Sequence, residues 1–172
     1  MSLSKTQTVL RPPTPNDGAS VFRLISRCPP LDNNSMYCNL LQCTHFAGTS
    51  VAAVQTVNTN EELIGFISAY LIPVREDTLF IWQVAVDERA RGIGLAGSML
   101  NHILDRSQCS QVNYLETTIT ESNKASWALF ESLANKLGTT LQKSVMFDRD
   151  KHLADEHDTE FLVRIGPFKP TQ

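Results

Sequence analysis

The most informative part of this chain is Arg89-Ala90-Arg91-Gly92-Ile93-Gly94-Leu95-Ala96. It follows the apolar run at residues 79–86, which is typical of a buried strand, and it opens a helical pattern. The first N–H groups of a helix have no intrahelical acceptor, and the helix dipole adds partial positive charge there. Glycines let that backbone approach a ligand closely, and the arginines add full charge. The stretch therefore predicts a loop that binds a pyrophosphate.

Two known patterns fit this loop. The run 92–97 spells the dinucleotide fingerprint G-x-G-x-x-G, and Glu116 lies roughly where that fingerprint has its ribose-binding acid. However, the charged segment 87–91 separates the strand from the first glycine, and no βαβ run precedes it. The second pattern, (Gln/Arg)-x-x-Gly-x-(Gly/Ala), is filled by Arg89, Gly92 and Gly94. It resembles the coenzyme A pyrophosphate loop of the GNAT acetyltransferases, and a helix start with glycines by chance is the third interpretation.

The order of the predicted elements favours the GNAT fold. A first strand and two helices precede an antiparallel meander of three strands, joined by polar turns near residues 58–61 and 73–77. After the loop come a helix, a parallel strand, a helix and two last strands. This order resembles GNAT proteins over nearly the whole chain. The resemblance implies an α/β (α+β) fold with a mixed, mostly antiparallel sheet flanked by helices and splayed at strands 4 and 5.

Composition limits the class of protein. A length of 172 residues predicts one domain, residues 1–172, with tails at 1–6 and 168–172. The net charge of −3 predicts no nucleic-acid partner, and the absence of a long apolar run predicts no membrane partner. The cysteines form no C-x-x-C pair and no metal-ligand spacing with histidines, so we expect thiols, no bound metal and a cytoplasmic protein.

The GNAT resemblance also implies the cofactor site. Acetyl-CoA would be the acetyl donor, with its pantetheine arm along the backbone of the fourth strand. Asn123, which opens a helix, matches the family's polar contact to that arm, although capping alone would explain it. The residues implied to contact the coenzyme are Val84, Val86, Arg89, Arg91, Gly92, Ile93, Gly94, Leu95, Ala96 and Asn123.

Acetyl transfer to an amine sets three chemical requirements. The ammonium must lose a proton, and Glu116 is a candidate base acting directly or through water; a salt-bridged strand carboxylate is the alternative. The oxyanion needs a donor, for which the Val84 N–H is a candidate. Many GNAT members protonate the leaving thiolate with a tyrosine, but Phe130 stands at that position here. Tyr37, water or unaided departure of the thiolate are the alternatives.

Several longer strings indicate the acceptor amine. These strings are Leu31-Asp32-x-Asn34-Ser35-x-Tyr37, Ile81-Trp82-Gln83-Val84-Ala85-Val86, Leu115-Glu116-Thr117-Thr118-Ile119-Thr120 and His157-Asp158-x-Glu160. Together they resemble the L-2,4-diaminobutyrate acetyltransferases of ectoine biosynthesis. The resemblance implies transfer to the 4-amino group of L-2,4-diaminobutyrate and a homodimer.

The implied substrate assigns roles within these strings. Asp32, Asp158 and Glu160 are candidate partners for the ammonium groups, and Trp82 offers an aromatic face to a cation. His157 or Tyr37 would bind the carboxylate. Without the resemblance, these residues would be read as a helix cap, a core aromatic and a solvated loop. A GNAT enzyme for another small amine and a non-catalytic acyl-CoA sensor remain the alternatives.

Overall fold

The structure is a computed structural model that describes residues 7–57 and 59–169. The strands form one mixed sheet in the order β1-β2-β3-β4-β5-β7-β6, in which β4 and β5 run parallel. The predicted order of elements is confirmed, except that a short helix between the last two strands was not predicted. The strands are β1 (Thr8–Arg11), β2 (Val51–Val57), β3 (Asn60–Ile72), β4 (Arg75–Val86), β5 (Tyr114–Thr120), β6 (Leu141–Phe147) and β7 (Glu160–Ile165), and the helices are α1 (Gly18–Ser26), α2 (Met36–Thr44), α3 (Leu95–Leu104), α4 (Lys124–Lys136) and α5 (Arg149–His152).

The predicted turns are shorter in the structure than in the sequence interpretation. β4 already begins at Arg75, so only Pro73 and Val74 form the turn before it, and Val74 has a φ of 64° and is fully exposed. β3 likewise begins at Asn60; the predicted turn residue Asn58 lies outside the described residues. The polar residues at these strand ends look like turn residues because both faces of the strand are exposed there, so composition does not mark the boundary.

The predicted tails are only partly described. Residues 1–6 and 170–172 lie outside the described part of the chain. Phe168, which the sequence interpretation placed in the C-terminal tail, is 8% exposed. Its N–H donates to the Asn113 carbonyl oxygen at 2.9 Å. The chain is therefore packed as far as Phe168.

Within the fold, the first of two compact units holds residues up to Ala69 together with Gln83–Gln108. β1, β2 and β3 pair antiparallel in it. Apolar residues recur from Val21 to Cys28 at spacing i, i+3, i+4 and i+7, and this face of the first helix is buried. The hydrophobic core of this unit contains Val21, Leu24, Ile25, Cys28, Cys43, Phe66 and Ala85.

The second compact unit holds Tyr70–Trp82 together with the residues from Cys109 onward. In the described part of the chain, the parallel ladder of β4 and β5 covers only the three pairs that join residues 78–80 to 114–116. Both strands continue past that ladder, to Val86 and Thr120. β5 then pairs antiparallel with β7, and β7 with β6. The short ladder agrees with the splay expected of strands 4 and 5.

Candidate active site

The glycine loop after β4 leaves backbone donors open to a ligand. Gly92 and Gly94 have φ values of 75° and 78°, a left-handed conformation that favours glycine. Gly94 is the N-cap of α3, and the first intrahelical bond runs from the Ser98 N–H to the Gly94 carbonyl at 3.0 Å. The N–H groups of residues 95–97 therefore have no intrahelical acceptor. A Cβ built on either glycine meets no described atom within 4 Å, so the loop has the open surface that a pyrophosphate needs.

The arginines of this loop have different surroundings. Arg89 Nε lies 3.0 Å from Asp87 Oδ1, and its Nη2 lies 3.2 Å from Glu62 Oε2. The side-chain hydrogen bond from Arg89 lowers the pKa of the buried Asp87 to about 2. Arg91 is exposed and its Nε donates to the Val86 carbonyl at 3.1 Å. Arg89 was predicted to contact the coenzyme, but its guanidinium is already bound to two carboxylates; Arg91 is the arginine better placed to meet an anion.

The end of β4 presents part of its backbone to the loop. Val84 and Val86 are both half-buried. The Val86 carbonyl accepts from Arg91 Nε and from Cys28 Sγ at 3.4 Å. Both lone pairs of that oxygen are therefore used within the protein, so a contact from Val86 to a pantetheine arm would use its N–H.

The segment between α1 and α2 and the first turn of α2 each carry one predicted substrate residue. Asp32 is exposed, and Tyr37 lies in the first turn of α2 with 69% of its surface exposed. Ser35 caps that helix, because its Oγ accepts from the Cys38 N–H at 3.1 Å. The polar cluster at residues 32–35 therefore does include a helix cap, as the alternative interpretation held.

Gln83 attaches this segment to β4, and the sequence interpretation gave it no role. Its Nε2 donates to the Asp32 carbonyl at 2.8 Å, and its Oε1 accepts from Asn34 Nδ2 at 2.8 Å. The signal in the sequence was the position of a carboxamide on the buried face of a strand. Alternate residues of β4 on that face, Leu79, Ile81 and Ala85, are apolar and at most 1% exposed.

Glu116 lies on β5 and contacts arginines from the two neighbouring strands, Arg75 on β4 and Arg164 on β7. It is 2% exposed, and Arg75 binds it through two bonds, Nη1 to Oε1 at 2.7 Å and Nη2 to Oε2 at 2.9 Å. Arg164 Nη1 donates to the same Oε1. Burial alone would raise the pKa of Glu116, but the hydrogen bonds and charges of the two arginines outweigh it and hold the pKa below its usual value. A carboxylate in this setting is a weak base, and the salt-bridged alternative describes its geometry.

The predicted cation-binding tryptophan packs next to other aromatic rings of β3 and β4. Trp82 is 41% exposed and packs edge-on against Tyr70, with ring centroids 6.5 Å apart. The ring of Tyr70 also packs against the ring of Phe80, with ring centroids 5.3 Å apart. Trp82 is therefore not the fully buried core aromatic of the alternative interpretation, and part of its surface is accessible to a ligand.

The start of α4 holds the predicted contact to the pantetheine arm. Asn123 Oδ1 accepts from the Ser126 N–H at 3.1 Å, so this side chain caps the helix. Its own N–H donates to the Thr120 carbonyl at the end of β5, at 3.2 Å. Phe130, at the position where many GNAT members have a tyrosine, is 2% exposed. The structure thus offers no exposed ring at that position.

The remaining predicted residues lie before and at the start of β7. His157 and Asp158 are exposed, and Asp158 Oδ1 makes a 3.4 Å contact with Arg149 Nη1. Glu160 is half-buried and stands opposite Thr120 in the β5–β7 ladder. Because Asn123 also bonds to Thr120, the ladder brings Glu160 and Asn123 to the same end of β5.

The predicted residues are divided between the two compact units. The first unit contains Asp32, Tyr37, Val84, Val86, Arg89, Arg91, Gly92, Ile93, Gly94, Leu95 and Ala96, and the second contains Trp82, Glu116, Asn123, His157, Asp158 and Glu160.

Residues 7–57 and 59–169 contain neither a metal-binding cluster nor a membrane-spanning helix. No three His, Cys, Asp or Glu side chains are grouped there in a way that would hold a metal ion. The helices in that part of the chain are too short or too polar to span a bilayer.

Known proteins resemble this chain over almost its full length. The acetyltransferase (GNAT) family model matches residues 19–134. The L-2,4-diaminobutyric acid acetyltransferase of Methylotuvimicrobium alcaliphilum is 60% identical over 95% of this chain and 92% of that protein. The enzyme of the same name from Bordetella parapertussis is 49% identical over 92% of this chain and 84% of that protein.

A solved structure gives the same result. Diaminobutyrate acetyltransferase EctA from Paenibacillus lautus, in complex with its substrate L-2,4-diaminobutyric acid and coenzyme A, is 34% identical. It superimposes with a TM-score of 0.88 over 97% of this chain and 99% of that one. The chain therefore belongs to the acetyltransferase (GNAT) family, and within it to the L-2,4-diaminobutyric acid acetyltransferases.

Proposed function

We propose that this protein transfers the acetyl group of acetyl-CoA to the 4-amino group of L-2,4-diaminobutyrate, giving N4-acetyl-L-2,4-diaminobutyrate for ectoine biosynthesis. The observation that carries the proposal is 60% identity to a diaminobutyric acid acetyltransferase over 95% of the chain. The likeness to EctA, whose structure holds both L-2,4-diaminobutyric acid and coenzyme A, supports the same substrate pair.

The glycine loop supplies the coenzyme site in this proposal. The pyrophosphate accepts hydrogen bonds from the backbone N–H groups at the start of α3, where the helix dipole also favours negative charge. Arg91 adds a full positive charge from its exposed position. Asn123 and the β4 backbone at Val84 and Val86 bind the pantetheine arm.

The reaction forms a C–N bond, breaks the C–S bond of the thioester, and transfers protons at nitrogen and sulfur. The 4-ammonium first loses a proton, and the neutral nitrogen then attacks the thioester carbon to form a C–N bond. The Val84 N–H stabilises the resulting oxyanion. Collapse of the intermediate breaks the C–S bond; the nitrogen loses a second proton to become a neutral amide, and the departing coenzyme A thiolate takes up one proton.

Substrate recognition follows from charge. In the first unit, Asp32 binds an ammonium group of diaminobutyrate, and Tyr37 is a candidate for its carboxylate. In the second unit, Asp158 and Glu160 bind ammonium groups and Trp82 offers its accessible face, while His157 is the other candidate for the carboxylate. Holding the 2-amino and carboxylate groups leaves the 4-amino group to reach the thioester.

The proton donor and acceptor stay predictions. Glu116 was the candidate base, but its three bonds to Arg75 and Arg164 favour a role in positioning these side chains, with any proton transfer through a bridging water. Tyr37 is the candidate acid for the leaving thiolate, and its 69% exposure makes its hydroxyl accessible.

The assembly and location are also part of the proposal. β6 is the last strand of the sheet, and its Val145, Met146 and Phe147 are 55%, 38% and 41% exposed. Such an apolar edge supports a homodimer of this single-domain chain. The net charge of −3 supports the absence of a nucleic-acid partner, and cysteines present as thiols fit the cytoplasm.

The test is release of free thiol from acetyl-CoA by purified protein, with L-2,4-diaminobutyrate, ornithine, lysine, spermidine or no acceptor. The proposal expects strong preference for diaminobutyrate and an N4-acetyl product by NMR. Preference for another amine would keep the acetyltransferase and refute the substrate. Acetyl-CoA binding with no thiol release for any acceptor would favour the acyl-CoA sensor instead.

A further inference from the structure

The Gln83 carboxamide joins a buried strand to a loop that carries predicted substrate residues. Its Nε2 lies 2.8 Å from the Asp32 carbonyl oxygen, and its Oε1 lies 2.8 Å from Asn34 Nδ2. Gln83 is 7% exposed, so both bonds form largely away from solvent. Hydrogen bonds in such a place contribute more to a defined geometry than exposed ones do, because water does not compete for them.

The orientation of this carboxamide is fixed by chemistry. The Asp32 carbonyl can only accept a hydrogen bond, so Nε2 of Gln83 must face it. Oε1 then faces Asn34, whose amide must present its Nδ2. No other common side chain of this size donates to a carbonyl on one side and accepts from an amide on the other. Glutamate, which has the same shape, cannot donate at all when ionised.

The packing of β4 does not itself call for a polar residue at this position. The residues that share this face of the strand are Leu79, Ile81 and Ala85, all at most 1% exposed. An apolar side chain at position 83 would suit the same environment and would avoid the cost of removing a carboxamide from water. The polar residue therefore serves the loop rather than the core.

We propose that Gln83 is a positioning residue for diaminobutyrate. It holds the backbone at Asp32, so that the Asp32 carboxylate stands at a fixed place to bind a substrate ammonium group, and through Asn34 it holds the approach to Tyr37. This inference rests on the proposed function. Gln83 does not touch the substrate in this role, and it acts through the loop.

The experiment measures KM for both substrates in Gln83→Met, which keeps the length of the side chain and removes both bonds. KM for diaminobutyrate is expected to rise about tenfold, equivalent to about 1.4 kcal/mol. KM for acetyl-CoA should stay within twofold. Gln55→Met is the matched control, because Gln55 also uses its carboxamide in this unit, donating to Thr8 Oγ1 at 2.9 Å. Both KM values of the control should equal those of the wild type.

Gln83→Glu separates positioning from charge. Its carboxylate would face the Asp32 carbonyl oxygen and displace the loop, which raises KM for diaminobutyrate. A purely electrostatic effect has the opposite sign, because an added negative charge attracts the ammonium groups and lowers KM. Asn34→Leu, on the accessible side of the pair, provides a second route if the strand variants do not fold. The side chains of Asn34 and Gln83 share a hydrogen bond. The fold-rise in KM for diaminobutyrate in the double variant Asn34→Leu/Gln83→Met should therefore be smaller than the product of the fold-rises in the two single variants.

Two results would overturn the inference. One is a lower melting temperature in Gln83→Met or Asn34→Leu with KM for diaminobutyrate within twofold of wild type, which is what a merely structural side chain gives. The other is an equal rise in KM for both substrates. Failure of the proposed function is seen separately, as wild-type protein that does not acetylate diaminobutyrate, and it would remove the inference as well.

Discussion

Replacing Gly94 with alanine tests the coenzyme loop most directly. Gly94 has a φ of 78° and stands at the N-cap of α3, next to the backbone N–H groups proposed to bind the pyrophosphate. A Cβ built there meets no described atom within 4 Å, so the new methyl group creates no clash within the protein. The substitution therefore acts through backbone conformation and through the space that the ligand would occupy.

The size of the effect on folding follows from the backbone alone. A residue with a Cβ in the left-handed region costs about 1–2 kcal/mol. For a chain of this length, each kcal/mol lowers Tm by about 2–4 °C, so Gly94→Ala should lower Tm by about 2–8 °C. Binding should suffer more, because a methyl group on the ligand side removes at least one charge-assisted hydrogen bond, worth about 1.5–3 kcal/mol. We expect Kd for coenzyme A to rise at least tenfold, since tenfold is about 1.4 kcal/mol.

Gly138 supplies the matched control. It follows α4 with a φ of 64°, and a Cβ there also meets nothing within 4 Å. Gly138→Ala should therefore lower Tm by about as much as Gly94→Ala, while leaving the affinity for coenzyme A unchanged. Differential scanning fluorimetry gives Tm, and isothermal titration calorimetry gives Kd. If Gly94→Ala keeps wild-type Kd, or if Gly138→Ala loses affinity equally, the assignment of the loop is wrong.

Three further substitutions test individual charged residues. Glu116→Gln should lower Tm by roughly 4–8 °C, about 2 kcal/mol, because it removes the buried negative charge that Arg75 and Arg164 contact. It should slow turnover less than about threefold; turnover slowed by a factor of about 100 or more would instead establish a catalytic base. Asp87→Asn should destabilise the protein at pH 7, and the difference from wild type should shrink as pH falls from about 4 towards 2, because the folded pKa of about 2 lies below the unfolded value; a constant difference in melting curves from pH 7 to 2 would refute this. Arg91→Glu should weaken coenzyme A binding at least tenfold in calorimetry, and unchanged binding would contradict its role.

Most elements of the fold could be predicted from local patterns in the sequence. The first helical turn begins with a capping box, in which the Thr14 N–H donates to Asp17 Oδ2 at 2.7 Å. The residues that form this cap are neighbours in sequence, so the sequence contains the whole interaction.

Long-range partners could not be predicted in the same way. Glu116 is held by Arg75 and Arg164, which are 41 and 48 residues away, and nothing near Glu116 in the sequence indicates them. Gln83 meets a loop about 50 residues earlier for a reason visible only when the strand and the loop are placed together. The helix α5 was also missed, since its four residues are too few for a periodic pattern.

The charges around the glycine loop have a consequence for ionic strength. Between β4 and α3 stand two carboxylates, Asp87 and Glu88, and two guanidinium groups, Arg89 and Arg91, so the segment carries no net charge. Dissolved salt weakens attraction between exposed charges at a distance, but it has little effect on hydrogen bonds at contact. If most of the binding free energy for coenzyme A comes from backbone N–H groups, the protein's affinity for coenzyme A will change little between dilute buffer and concentrated salt. An enzyme whose product is the precursor of a compatible solute would then keep its affinity for the donor substrate when the ionic strength inside the cell rises.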